Sequence, residues 1–237
     1  MDWDTYDRDE FLDELSIDVE TLDDNPAVDH QLSKLRDRET EDYAFEDRMR
    51  GLSQTMGYRV AEDLETRETT VETPLEEADA RYMDDAVVVP ILRAGLAMRD
   101  GLRDSWQDFD TGFIDAWRDE DLSVEVDYLK LPDLDEKTVV LTDPMVATGH
   151  TLTAVYEAIE DRFDPERYVV MSAISVPEGI KQVDDVFPDD TAFYTGTIDD
   201  ERYGEDFMSP GLNEHGYIVP GLGDAGDRLY GEPDEVV

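Results

Sequence analysis

A parallel-sheet α/β fold is predicted from three features of this chain of 237 residues. Short unbroken aliphatic runs, Val87-Val88-Val89 and Val139-Val140-Leu141, read as strands covered on both faces. The stretches between such runs carry apolar residues at helical spacing, so strands and helices alternate. Each of the two runs also ends in a small-residue turn that opens a helix, which is where α/β sheets place their ligands.

The elements follow in order. Residues 1–25 are acidic, with apolar Trp3, Tyr6, Phe11, Leu12 and Leu15, and predict an N-terminal arm or short helix ahead of a single domain over 26–237. From residue 26 to about 64 the spacing is helical, with Val28, Leu32 and Leu35 on one face and Met49, Leu52 and Met56 on another. Val87-Val88-Val89 is a strand, followed by a turn at Arg93-Ala94-Gly95 and a helix through Leu102. Residues 112–116 read as a strand, and 123–131 as a hairpin arm with Val124, Val126, Tyr128 and Leu129. A strand at 138–142 precedes a helix running from near Thr151 to about Phe163. A strand at 168–174, a helix starting near Pro177 and a strand at 191–195 complete the alternation. Residues 211–231 are rich in glycine and short on regular pattern, and no internal repeat or low-complexity linker is visible.

Composition narrows the function classes. With 40% hydrophobic residues, including 8 Phe, 11 Tyr and 3 Trp, the chain can build a core although 35% of it is charged. No apolar run approaches the roughly 18 residues of a membrane span, and Met1-Asp2-Trp3-Asp4 lacks the basic start of a signal peptide. With no cysteine, disulfides and thiolate metal sites are excluded, and a cytoplasmic protein is expected. The 63 acidic against 20 basic residues leave a net charge of −43, which repels nucleic acid as a partner. The acids spread from Asp2 to Glu235 rather than forming one tail, as expected of a surface adapted to high salt in a halophilic host. An anionic substrate would then need a locally basic pocket.

Three segments carry chemistry. In Val139–Thr151 a strand ends at Asp143, passes a small-residue turn and opens a helix, a layout that gathers backbone N–H groups around a phosphate. Asp143 repels phosphate and so must face a ribose diol or a metal. The spacing is neither a Walker loop nor a dinucleotide fingerprint, since no Lys follows Gly149 and Gly-x-Gly-x-x-Gly is absent. Pro90-Ile91-Leu92-Arg93-Ala94-Gly95-Leu96 sits at another strand end, where Arg93 can grip a diphosphate bidentately. In residues 213–228, four glycines suit close approach of backbone to a flat polar ligand such as a nucleobase. His215 within it reads as a structural hydrogen-bonding residue rather than a catalytic base.

Taken in this order, VVVPILRAGLAM, VLTDPMVATGHT and LNEHGYIVPGLGDAGDRLYG resemble the uracil phosphoribosyltransferase family, over residues 26–231. The resemblance implies a type I phosphoribosyltransferase fold: a parallel core sheet flanked by helices, with a small hood from about 118–135 and 196–231. It implies conversion of uracil and 5-phospho-α-D-ribose 1-diphosphate (PRPP) to UMP and diphosphate, with Mg2+ bound as Mg-PRPP. Arg93, Asp143 and Asp224 are the implied catalytic residues. PRPP would be held by Arg93, Arg118, Asp143, Pro144, Met145, Val146, Ala147, Thr148, Gly149, His150, Thr151 and Asp224. Uracil would be read by Ile218, Gly223, Asp224 and Ala225, mostly through backbone atoms. A homodimer or higher homo-oligomer and activation by GTP are further family expectations. The alternative is a non-catalytic regulator of the same fold that senses PRPP or UMP. Three departures stand out: His150 replaces a small residue, commonly Gly; residues 201–210 look inserted; and the N-terminal arm is longer than usual.

The charge carries a prediction of its own. Repulsion among unpaired carboxylates acts over about 30 Å at 0.01 M salt and about 3 Å at 1 M. Thermal melts in KCl from low to multimolar concentration are expected to show a midpoint that climbs with salt, and a flat midpoint would refute the halophilic reading.

Overall fold

The computed structural model describes residues 3–118, 124–201 and 207–231, with the side chains of residues 4, 117, 118, 124 and 125 outside that description. A 3-10 turn at Trp3–Thr5 leads into α1 (Arg8–Asp13), β1 (Asp18–Thr21), α2 (Pro26–Arg36) and α3 (Asp42–Asp63). Next come the hairpin β2 (Thr66–Glu72) and β3 (Glu77–Met83), then β4 (Ala86–Leu92) and α4 (Gly95–Ser105). Beyond them are β5 (Asp110–Thr111), β6 (Phe113–Arg118), β7 (Val124–Lys130), β8 (Thr138–Thr142), β9 (Met145–Val146) and α5 (His150–Glu160). The chain continues through β10 (Arg167–Ser175), α6 (Pro177–Asp184) and β11 (Ala192–Ile198) to a small hairpin, β12 (Phe207–Ser209) with β13 (Leu212–Asn213), and ends in α7 (Ala225–Tyr230).

The main sheet has the order β1-β11-β10-β8-β4-β6-β7, with β5 paired to β4 and β9 to β10. Every pairing is parallel except β6 with β7. The aliphatic runs are unbroken because both faces are covered. Val88, Val140, Val169 and Met171 point into one core with α2, α3, α4 and α7. Their alternates Val87, Val89, Val139, Leu141 and Val170 point into the other, with α1, α5 and α6. The three apolar residues of α2 and the three of α3 singled out in the sequence are all buried in the first core.

Several elements differ from the sequence reading. Part of the expected arm is sheet: β1 lies parallel to β11 from Asp18–Ala192 to Thr21–Thr195. Its Asp18-Val19-Glu20-Thr21 holds one apolar residue, so backbone pairing at the edge, rather than burial, makes it a strand. The β2–β3 hairpin was unassigned in the sequence; none of its strand residues is buried, so no apolar run marks it. Of the stretches expected to form the hood, residues 196–198 complete β11, and 124–130 extend the sheet edge as β7, antiparallel to β6. Val126, Leu129 and Leu131 pack on the second core. The glycine-rich tail contains β13 and the short α7, whose capping Asp224 accepts from Asp227 N at 2.8 Å. Of the apparent insertion at 201–210, residues 202–206 lie outside the described residues. Among the described residues, no helix is long and apolar enough to cross a membrane.

Arg59 ties three elements together. From α3 it donates to Glu20 of β1 at 2.8 Å and to Asp63 at 2.9 Å, and Asp63 also accepts the Tyr194 hydroxyl of β11. Burial pushes the Asp63 carboxyl up, but the hydrogen bonds from Tyr194 and Arg59 outweigh it and leave its pKa below the usual value. A depressed folded-state pKa stabilises the fold above the unfolded value of about 4, and the contribution disappears as pH falls below that. Asp63→Asn is expected to lower the melting temperature at neutral pH and to flatten its decline on acidification. Melts of both proteins from neutral pH to about pH 3 check this, and two parallel curves would contradict it.

Candidate active site

β4 and β8 are neighbours in the sheet, yet the helices that follow them leave to opposite faces, α4 into the first core and α5 into the second. Where connections diverge in this way the strand ends open a crevice. An open cleft of ≈480 Å³ lies there, lined by Ile91–Ala94, Ala116, Asp143, Met145, Ala147, Thr151, and two stretches of the tail, 215–218 and 223–226. Three sequence segments that are far apart in the chain therefore meet in one place.

The β4–α4 turn supplies the cation. A Cβ on Gly95 would stand 2.3 Å from the Thr142 carbonyl oxygen, so only glycine lets the start of α4 pack against the end of β8. The Thr142 hydroxyl donates back to the Gly95 carbonyl at 3.1 Å. The Leu92–Arg93 peptide is cis. The Arg93 guanidinium is half-exposed in the cleft, 3.5 Å from the Asp227 carboxylate and 6.0 Å from the centre of the Tyr230 ring.

The β8–α5 connection begins as a strand. Met145 and Val146 of β9 pair with Ile174 and Ser175, and the Pro144 carbonyl accepts from Ala173 N and Ile174 N at 3.2 and 3.0 Å. Alternation then directs Met145 and Ala147 to the cleft, whereas Val146 enters the core and Pro144 is buried. The Asp143 side chain lines the cleft and accepts from Met145 N at 3.2 Å. Thr148 is buried, and Gly149 takes φ 76° at the cap of α5, where a Cβ would lie 2.7 Å from the Gly179 carbonyl. Thr151 lines the cleft, whereas His150 is exposed and does not. Of the expected phosphate-binding run, Asp143, Met145, Ala147 and Thr151 thus line the cleft, and Pro144, Val146, Thr148, Gly149 and His150 do not. Arg118 ends β6, which pairs with β4 through Ile91–Ile114 and Leu92–Asp115; its side chain lies outside the described residues.

The tail forms the opposite wall. Ile218, Gly223, Asp224 and Ala225 all line the cleft. The Asn213 side chain accepts from His215 N and Tyr217 N, each at 3.0 Å, and so shapes the rim. His215 itself is exposed on that rim, 3.5 Å from Glu214. Sequence reasoning missed what stands behind this wall. The buried Asp199 carboxylate receives Arg36 through two contacts of 2.8 and 2.6 Å, and both residues bond the backbone of Gly221 at 2.9 Å. Arg228 donates to the Leu222 carbonyl at 2.7 Å and to the Asp37 carbonyl at 2.8 Å, with its guanidinium 4.1 Å from the centre of the Phe45 ring. Arg36 and Asp199 are 163 residues apart in sequence, and no local motif announces the pair.

The cleft thus sets an arginine and carboxylates beside a strand-to-helix connection and faces them with a loop that is mostly backbone. Such a site can neutralise a phosphorylated leaving group, hold a diol and read a planar base. A sequence model described as uracil phosphoribosyltransferase matches residues 22–232. Curated proteins named uracil phosphoribosyltransferase include one from Dictyoglomus turgidum, 40% identical over 212 residues, covering 88% of this chain and 97% of that protein. Another, from Thermococcus sibiricus, is 34% identical over 224 residues, covering 92% of each. A solved structure of a protein from Aquifex aeolicus aligns with a TM-score of 0.79 at 33% identity, covering 90% of this chain and 98% of that one. With the family matched over nearly the whole length, and its three segments gathered in one cleft, this chain belongs to the uracil phosphoribosyltransferase family.

Proposed function

We infer that this protein transfers the phosphoribosyl group of PRPP to uracil, forming UMP and diphosphate. The observation that carries this reading is the meeting of Arg93, Asp143 and Thr151 with the 218–225 loop around one cleft. In the reaction the bond from ribose C1 to a diphosphate oxygen breaks, uracil N1 bonds to C1, and the N1 proton is released. C1 passes through an oxocarbenium-like state, so negative charge grows on the departing diphosphate. In this reading Arg93 meets that charge, Asp143 accepts from the ribose hydroxyls, and the connection to α5 holds the 5-phosphate. Holding N1 against C1 accounts for much of the remaining acceleration. No covalent nucleophile is needed.

The donors facing the cleft suit Mg2+, because Asp143 and Asp224 offer hard oxygens. In this proposal the ion enters with the substrate as Mg-PRPP. When bound, the ion would add charge neutralisation to what Arg93 supplies. A cytoplasmic setting, homo-oligomerisation and a GTP response belong to the same proposal. The non-catalytic alternative is not favoured, because 88–92% of the chain aligns with proteins named for the enzyme.

The direct test is purified protein in high-salt buffer with labelled uracil, PRPP and Mg2+, scored for UMP; no UMP would reject the reading. In competition, uracil is expected to be preferred over cytosine, hypoxanthine and adenine. Cytosine puts an amino donor where uracil has an acceptor, a mismatch worth about 1–3 kcal/mol. Equal use of any of these bases would count against a uracil-reading loop. Arg93→Ala is expected to lower kcat/KM by roughly 10²–10³, the loss of one transition-state donor. Asp143→Asn is expected to weaken PRPP more than uracil. Steady-state kinetics with each substrate varied reads both, and parental behaviour of either variant would remove that residue from the site.

A further inference from the structure

We propose that Arg36 and Asp199 are positioning residues for the base site, acting from behind the loop that faces uracil. Neither lines the cleft. Arg36 ends α2, and Asp199 immediately follows β11, its own N–H donating to Ser175 O at 2.9 Å, so the pair is mounted on two rigid elements outside the loop. Both polar groups of one loop residue are committed to this pair. Gly221 N–H donates to Asp199 Oδ2 at 2.9 Å, and the Gly221 carbonyl accepts from Arg36 Nη1 at 2.9 Å. Gly221 is buried, and the Ile218 carbonyl oxygen would lie only 2.3 Å from a Cβ placed on it. The turn from Ile218 to Gly221 is therefore so tight that fixing Gly221 at the back fixes Ile218 at the front.

The next carbonyl, of Leu222, is also turned away from the cleft, toward Arg228 Nη1 at 2.7 Å. Two successive carbonyls are thus held rearward, and the chain on either side, at Ile218 and at Gly223–Ala225, faces the cleft. Asp199 is only 7% exposed. A buried ion pair is poor evidence for stability, since apolar residues of similar volume often serve as well, but a two-point guanidinium–carboxylate contact fixes orientation closely. An orienting role is the one this geometry supports.

The proposal rests on the reading of 218–225 as the base loop, and the experiment separates the two. Steady-state kinetics would be measured for the parent, Arg36→Lys, Asp199→Asn and the double variant Arg36→Met/Asp199→Leu in multimolar salt, with melting curves alongside. Arg36→Lys keeps the charge without the fork, and the double variant replaces the pair by apolar bulk so that folding survives. The expected result is a uracil KM raised about 10- to 100-fold in the double variant, the worth of one charged hydrogen bond, and less in Arg36→Lys. The PRPP KM should change by less than about twofold, and preference for uracil over cytosine should shrink. A folded double variant with the parental uracil KM, or equal rises in both KM values, would overturn the positioning role. A parent that makes no UMP would overturn the base reading, and this proposal with it.

Discussion

The ladder between β4 and β8 runs in register from Ala86–Thr138 to Pro90–Thr142, and the two strands stop side by side. Everything at the cleft depends on that shared ending. Because α4 and α5 then leave on opposite faces, the two connections part and a gap opens between them. The gap stays narrow because Gly95 sits against the Thr142 carbonyl, where a Cβ would lie 2.3 Å away. Arg93 and Asp143, each one step beyond its strand, are thereby set on the two sides of that gap. Their separation is a property of strand pairing, which is among the stiffest geometries a chain can adopt.

The parts that were legible in the sequence are those where burial or composition leaves a signature. β4, β8 and β10 read as strands because two cores demand apolar residues on both faces, and Arg93, Asp143 and the 218–225 loop stood out by their place at strand ends or their glycine content. β1 and the β2–β3 hairpin left no such signature, since their residues are largely solvated and backbone pairing alone defines them. The connection after β8 was read as a single phosphate loop, but its first half adds to the sheet as β9, which turns Val146 into the core. The frame behind the 218–225 loop was invisible for a different reason. Arg36, Asp199 and Gly221 come together only through tertiary folding, and each alone looks like an ordinary surface residue or turn.

Arginine has a distinct role in so acidic a chain. Sixteen of the 20 cations are Arg, and several join elements that are remote in sequence. Arg8 reaches Asp200 at 2.7 Å and Asp23 at 3.3 Å, Arg59 joins α3 to β1, and Arg36 and Arg228 brace the 218–225 loop. A planar fork with five donors can bridge two or three partners at once, which a lysine ammonium on its flexible stem does less well. Arg8, Arg36, Arg59 and Arg228 thus each serve several contacts, and Arg93 lies in the cleft with Asp227 beside it.

Glycine and alanine make up much of the wall formed by residues 223–226. A loop that meets its ligand through amides and carbonyls has a chemical vocabulary that is the same in every protein and cannot be recharged by substitution. Surface codons can drift toward Asp and Glu until the molecule reaches −43, and the main chain still offers the same donors and acceptors in the same order. Under the proposed base reading, selectivity written in the backbone is in this way insulated from the amino-acid bias of the rest of the protein, and it changes only when the path of the loop changes.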